Sequence, residues 1–190
     1  LAHVPDINDF VKCMAVLLAE DGTLTMEFPH LLQLIRFNQF DTIYHEHFSY
    51  LSLHTVKEIF SSHGLTIFDI DEIPTHGGSL RIYAQHNKAN PQPTESFSKV
   101  LADEDTAGIN EIRTYTNFQL KVQETKRKLL SFLIEAKEKG SSVVCYGAAA
   151  KGNTLLNYCG IREDFVDYVV DKNPHKQDRF LPGTHVPICS

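Results

Sequence analysis

Apolar positions along this chain switch between helical and strand periods several times. Behind Asp6, a residue suited to capping a helix, Ile7, Phe10, Val11, Met14, Leu17 and Leu18 recur at helical spacing, and Asp21-Gly22 should end that helix. Leu24, Met26 and Phe28 alternate with polar neighbours, which predicts a strand that Pro29 stops. Residues 30–38 read as a short helix or an irregular segment. Ser52 or Thr55 can cap a helix carrying Val56, Ile59 and Phe60, with Gly64 where a helix C-terminus favours glycine. Residues 65–70 and 80–84 read as strands, joined through His76-Gly77-Gly78-Ser79 as a long-looped hairpin. Residues 87–94, rich in Asn, Pro and Gln, read as a linker.

Beyond that linker, residues 95–139 are polar, with Phe118, Val122, Leu129, Phe132 and Leu133 about one helical turn apart. The pattern predicts one long helix, or two broken near Gly108, forming a solvated connector with one packed face rather than a partner-binding coiled coil. The period then changes. Ser142 to Tyr146 is a buried-type strand, Gly147 to Asn153 a small-residue loop, Thr154 to Cys159 the start of a helix, and Phe165 to Asp171 another strand. Strand, glycine loop, helix, strand is a βαβ unit. The class predicted is α/β, with residues 1–94 in one domain and the helical connector and βαβ unit of 95–190 in a second.

Composition narrows the function. A net charge of −6 gives no general surface for nucleic acid or anionic membrane. No apolar run reaches the roughly 18 residues of a membrane span. Cys13, Cys145, Cys159 and Cys189 show no paired spacing and sit in or beside apolar stretches, so they read as reduced thiols of a cytoplasmic protein. Residue 1 is Leu, and both ends break into apparent elements; the chain is expected to be a fragment of a longer protein.

Three segments carry candidate chemistry. Tyr44-His45-Glu46-His47 places a phenol, two imidazoles and a carboxylate on adjacent positions, flanked by apolar residues. In an extended segment Tyr44 and Glu46 would share a face opposite His45 and His47; in a helix Tyr44 and His47 would share one. General acid–base chemistry, a structural polar cluster and a His-x-His metal chelate all remain open, although no third metal ligand is evident. His3, between a strand end and a helix cap, is a second candidate or a cap accessory. In His76-Gly77-Gly78-Ser79-Leu80-Arg81, two glycines allow close backbone approach and Arg81 suits a phosphate; a plain hairpin turn is the alternative. Gly147-x-Ala149-x-x-Gly152 is the dinucleotide fingerprint with alanine at the middle glycine, and Asp171 lies where a ribose-binding acid belongs. A Walker loop is excluded because Asn153 precedes Thr154 where the lysine belongs, and Lys151 comes before Gly152 rather than after it. Phosphate binding and a purely structural turn both fit, and an NAD-dependent oxidoreductase rests on this degenerate fingerprint alone.

Taken in order, Tyr44-His45-Glu46-His47-Phe48-Ser49-Tyr50, His76-Gly77-Gly78-Ser79-Leu80-Arg81 and Tyr146-Gly147-Ala148-Ala149-Ala150-Lys151-Gly152-Asn153-Thr154 resemble the S-adenosylmethionine-dependent sugar C-methyltransferases. These methylate a carbon of a nucleotide-linked keto-sugar. The resemblance implies that residues 1–94 are the tail of a methyltransferase-type sheet domain, with His3-Val4-Pro5-Asp6 following its fourth strand. Residues 95–190 would be a connector and a truncated Rossmann-like, nucleotide-sugar-binding domain. It implies His47 as the base that removes the proton alpha to the ketone, Tyr44 and Glu46 as its partners, and His3 as the group polarising the ketone oxygen. It implies substrate contacts at His76, Gly77, Gly78, Ser79 and Arg81. A nucleotide diphosphate would be held by Gly147, Ala149, Lys151, Gly152 and Asn153, with Asp171 beside it. Most of the S-adenosylmethionine site, and a zinc region, would lie outside this chain, leaving it inactive or crippled alone. The partners implied are the nucleotide-diphosphate keto-sugar, no nucleic acid and no membrane, in a monomer or weak oligomer. A non-catalytic nucleotide-sugar-binding module is the rival.

Overall fold

The computed structural model describes residues 1–190. It is α/β, with six helices and seven strands in two sheets. Contacts divide it into two compact units, Leu1–Gln39 with His45–Asn117, and Phe40–Tyr44 with Phe118–Ser190.

The first unit opens with α1 (Ile7–Leu17), capped by Asp6, whose side chain accepts from the Asp9 amide at 2.9 Å. This helix ends at Leu17, before the predicted Asp21-Gly22 stop. β1 (Leu24–Pro29) and the short α2 (Leu31–Arg36) follow. α3 (Leu53–Ser62) starts at Ser52, whose hydroxyl accepts from the Thr55 amide, and closes at Gly64, which has a φ of +76°. β2 (Leu65–Ile73) and β3 (Ser79–His86) form the expected antiparallel hairpin, and β1 pairs antiparallel on the other side of β3. Strand order is therefore β1-β3-β2.

β3 is the central strand. Leu80, Ile82 and Ala84 point into the core with no exposed surface, while Arg81 and Tyr83 alternate onto the polar face. On that face Tyr83 donates to Asp71 at 2.6 Å and Arg81 reaches Glu27 at 3.3 Å. β2 runs longer than predicted because its pairing with β3 continues to Ile73 opposite Ser79, with a register shift between Ile67 and Asp69. The irregularity lets Ile70 join Leu65 and Ile67 in the core despite the odd spacing.

Residues 87–94 connect β3 to the next helix, opening with a short 3₁₀ turn over Asn87–Ala89 and continuing without regular structure. Asn90 is left-handed, and Thr94 bonds Asp69 at 2.6 Å while capping α4 (Glu95–Thr106). The sequence pattern suggests a division after residue 94. By contacts the chain divides between Asn117 and Phe118, inside α5 (Ile112–Glu138). α4 goes with the first unit because Phe97 and Val100 complete its core beside Phe60 and Ile70. The helical region does break at Gly108, whose φ is +67°.

In the second unit, β4 (Val144–Tyr146), α6 (Ala150–Cys159) and β5 (Tyr168–Val170) make the predicted βαβ unit with β4 and β5 parallel. β7 (Pro187–Cys189) extends the parallel sheet, and β6 (Arg179–Phe180) closes it antiparallel, giving the order β4-β5-β7-β6. Leu133, Leu156, Ile161, Val169 and Ile188 are among its core residues. Asp167 ties three pieces together. It accepts from Lys137 at 2.7 Å, the Ser142 hydroxyl at 2.6 Å and the Val143 amide at 3.0 Å. No helix is long and apolar enough to cross a membrane.

Candidate active site and glycine loop

Two candidate histidines from separate motifs meet in the first unit. The amides of Phe48 and Ser49 both donate to the Ala2 carbonyl, at 2.9 and 3.3 Å. This double clamp sets the chain after the four-residue polar motif alongside residues 2–4. The rings of His3 and His47 then lie edge to face, with centroids 4.8 Å apart. The Tyr50 ring also meets that of His47 edge to face, with centroids 6.0 Å apart. Two adjoining imidazoles can act on neighbouring atoms of one substrate, one accepting a proton while the other donates.

The motif itself is neither extended nor helical. Tyr44 to Glu46 form a bend and turn, so neither face-sharing pattern considered from sequence applies. His45 and Glu46 are exposed at that turn, and Tyr44 belongs to the second unit while His45 opens a stretch of the first. No group of three or more His, Cys, Asp or Glu side chains is arranged to hold a metal ion, and all four cysteines are free thiols.

The glycine turn between β2 and β3 is tightly built. His76, Gly77 and Gly78 all have positive φ, of 55°, 85° and 118°. A Cβ on Gly78 would sit 2.8 Å from Cγ of Gln33, so glycine is required there. Gln39 donates to the Gly77 carbonyl at 2.8 Å, the His30 amide to the Gly78 carbonyl at 3.0 Å, and buried Ser79 to the Thr75 carbonyl at 3.0 Å. Arg81 does not stand alone as an anion ligand. Its cross-strand neighbours are Glu27 and Asp71, and the hydrogen bond it donates to Glu27 holds the guanidinium pKa above its usual value.

Sequence reasoning missed the most buried polar pair. His30 and Glu104 are 2% and 0% exposed, with Nε2 and Oε1 2.7 Å apart. The Glu104 carboxylate also accepts from the Leu53 amide at 2.6 Å and the His54 amide at 3.0 Å. It thus caps α3 from outside, completing what Ser52 begins. Burial pushes the carboxyl up, but the His30 and backbone hydrogen bonds outweigh it and hold it below the ordinary value. One signal was available. Glu104 continues the helical stripe of Phe97, Val100 and Leu101, a charge on an apolar face.

The glycine loop of the second unit is held mainly by backbone. Gly147 has a φ of +89° and its amide donates to the Val170 carbonyl at 2.7 Å. α6 begins at Ala150, earlier than predicted, with Ala149 at its N-cap, so Lys151, Gly152 and Asn153 lie in its first turn. First-turn amides and the helix dipole favour an anion there. Asp171 is engaged differently from the expectation. One oxygen accepts from the Ala148 amide at 2.7 Å and the other from the Asn173 amide at 2.8 Å. Hydrogen bonds from the Asn173 and Ala148 amides hold its pKa below the usual carboxylate value. Lys176, which no motif singled out, donates to the Ala148 carbonyl at 2.7 Å and sets a cation beside the loop. Nearby on α6, Tyr158 meets Phe40 edge to face at 5.2 Å and borders an apolar cavity of about 330 Å³ that Thr154 also lines.

The chain is similar to known proteins over its whole length. A family model described as the C-methyltransferase C-terminal domain matches residues 74–190. The C-methyltransferase NovU of Streptomyces niveus is 37% identical over 189 residues, which take in 100% of this chain and 45% of the relative. The chain therefore spans less than half the length of that relative.

Proposed function

The chain belongs to the C-methyltransferase family, and from that membership we propose that it supplies the acceptor side of a methyl transfer to carbon. The substrate is a nucleotide-linked keto-sugar and the methyl donor S-adenosylmethionine. The observation that carries this reading is the contact between His3 and His47 at 4.8 Å. Carbon is methylated only once it is made nucleophilic, and a proton alpha to a ketone is the one a histidine can remove.

In this reading His47 takes the alpha proton onto a ring nitrogen. The C–H electron pair moves into the bond to the carbonyl carbon, and the ketone oxygen gains negative charge. His3 meets that oxygen as a hydrogen-bond donor, stabilising charge where it develops. Tyr50, packed against His47, keeps the ring oriented. The enolate carbon is then the nucleophile, and a sulfonium methyl group is the electrophile such a carbon needs.

The residues present fit the acceptor and not the donor. In the first unit no glycine loop joins a strand to a helix, and in the second Asp171 is committed to backbone amides. A ribose diol would meet at that loop an acid whose two oxygens each already accept a backbone amide, which weighs against a dinucleotide. The first-turn amides of α6, with Lys151 and Lys176 near them, suit a diphosphate better.

Deuterium exchange at the sugar's alpha carbon tests the acceptor chemistry without any methyl donor. The protein in deuterated water with a nucleotide-linked keto-sugar should exchange that proton. Labelled S-adenosylmethionine added to a longer chain of the same protein should place its methyl on the same carbon. Label found on oxygen or nitrogen, with no exchange at carbon, would overturn the reading.

A further inference from the structure

The first sheet brings three strand ends together at one end. β1 and β2 both run antiparallel to β3, and Ser79 at the start of β3 pairs with Pro29 on one side and Ile73 on the other. The carboxyl ends of β1 and β2 therefore flank the glycine turn, at one end of this antiparallel sheet. His30 follows Pro29 directly. A cavity of about 470 Å³ opens at this end.

Its lining is mixed. Phe37, Ile73 and Pro74 give an apolar wall, while His30, Gln33 and Glu72 give polar groups beside the glycine turn. An apolar wall facing a set of hydrogen-bonding groups matches a sugar ring, which has C–H faces and a hydroxyl edge. Glu72 also holds Lys99 at 3.1 Å, and Phe37 is 68% exposed, which leaves its ring open for such a face.

His30 has an unspent valence here. An ionised Glu104 only accepts hydrogen bonds, so the His30 nitrogen facing it, Nε2, carries the proton. In the neutral ring Nδ1 is then a lone-pair acceptor, and it is buried with no hydrogen-bond partner in the protein. A buried acceptor without a donor is unfavourable, and a ligand hydroxyl relieves it.

We propose that this cavity is a sugar subsite in which Nδ1 of His30 accepts a hydrogen bond from a ligand hydroxyl, with Glu104 as the residue that positions the ring. The inference rests on the nucleotide-sugar reading above and extends it to residues outside the His3–His47 pair.

The test uses ¹⁵N-histidine-labelled protein, with thymidine diphosphate glucose and thymidine diphosphate as probes. The sugar nucleotide should move the Nδ1 resonance of His30, and the diphosphate alone should leave it unmoved. His30→Phe should weaken the sugar nucleotide about tenfold, the loss of roughly one hydrogen bond, and leave the diphosphate affinity unchanged. An unmoved His30 resonance in wild-type protein that binds both probes would overturn the subsite and leave the nucleotide-sugar reading standing. That spectrum decides the matter even if the variant folds poorly. Failure of wild-type protein to bind either probe would overturn both.

Discussion

Glu104 Oε1 lies 2.7 Å from Nε2 of His30, although 74 positions separate the two residues in the chain. The same carboxylate holds the first two amides of α3, so it joins α4, α2 and α3 at one buried point. Glu104→Ala strands an imidazole and two amides without water. Loss of one member of a buried polar pair costs about 3–5 kcal/mol. Urea unfolding of the variant should show a loss of that size with little change in slope. A loss below about 1 kcal/mol would mean that water reaches the pair.

Asp167 predicts an acid transition in the second unit. Hydrogen bonds from Lys137, Ser142 and the Val143 amide lower its pKa to about 2, against about 3.9 unfolded. A depressed carboxyl stabilises the fold above its unfolded value and loses that contribution as pH falls through the folded one. The window is therefore roughly pH 4 down to 2. Asp167→Asn should be less stable at neutral pH and show a flatter acid limb across that window. Parallel acid limbs for variant and wild type would contradict the assignment.

The His3–His47 contact predicts non-additive kinetics. His47→Asn should slow alpha-proton exchange by roughly 10²–10⁴-fold, and His3→Asn by about 10²–10³-fold. In the proposed mechanism both groups act in one step, so the double variant should be little worse than His47→Asn alone. Multiplying losses would assign the two rings to separate steps.

At the glycine loop, Lys151→Met and Lys176→Met should each weaken thymidine diphosphate binding several-fold, about 1 kcal/mol at a partly exposed charge. Calorimetry at low and raised salt reads both the loss and its expected shrinkage with screening. Wild-type affinity in the double variant would leave the loop a structural turn.

Two glycines separate backbone strain from crowding. Gly64 has a φ of +76° with nothing near its would-be Cβ, so Gly64→Ala should cost about 1–2 kcal/mol from strain alone. Gly78→Ala adds an approach of 2.8 Å to Gln33 and should cost more. Thermal unfolding ranks them, and equal shifts would mean that Gln33 moves aside freely.

Much of the fold was already legible in local pattern. The Asp6 cap, the stripe of α1, a cap for α3 at Ser52 or Thr55, the β2–β3 hairpin and the β4–α6–β5 order follow from spacing, because capping, amphipathic period and turn chemistry act over a few residues. The three motifs were legible as chemistry for the same reason, since residue type fixes what a side chain can donate or accept. What needed the tertiary structure was every relationship between distant segments. Spacing could not bring His3 onto His47, because that contact depends on two amides finding the Ala2 carbonyl. Nor could it find Asp171 committed to the Ala148 amide, or Lys176 beside it. α4 read as part of a connector because its surface is polar, yet Phe97 and Val100 fill the first core and carry Glu104 to His30. A sequence reports which groups are present and their local period; which buried polar group meets which is decided only when the core closes and water is no longer there to satisfy them.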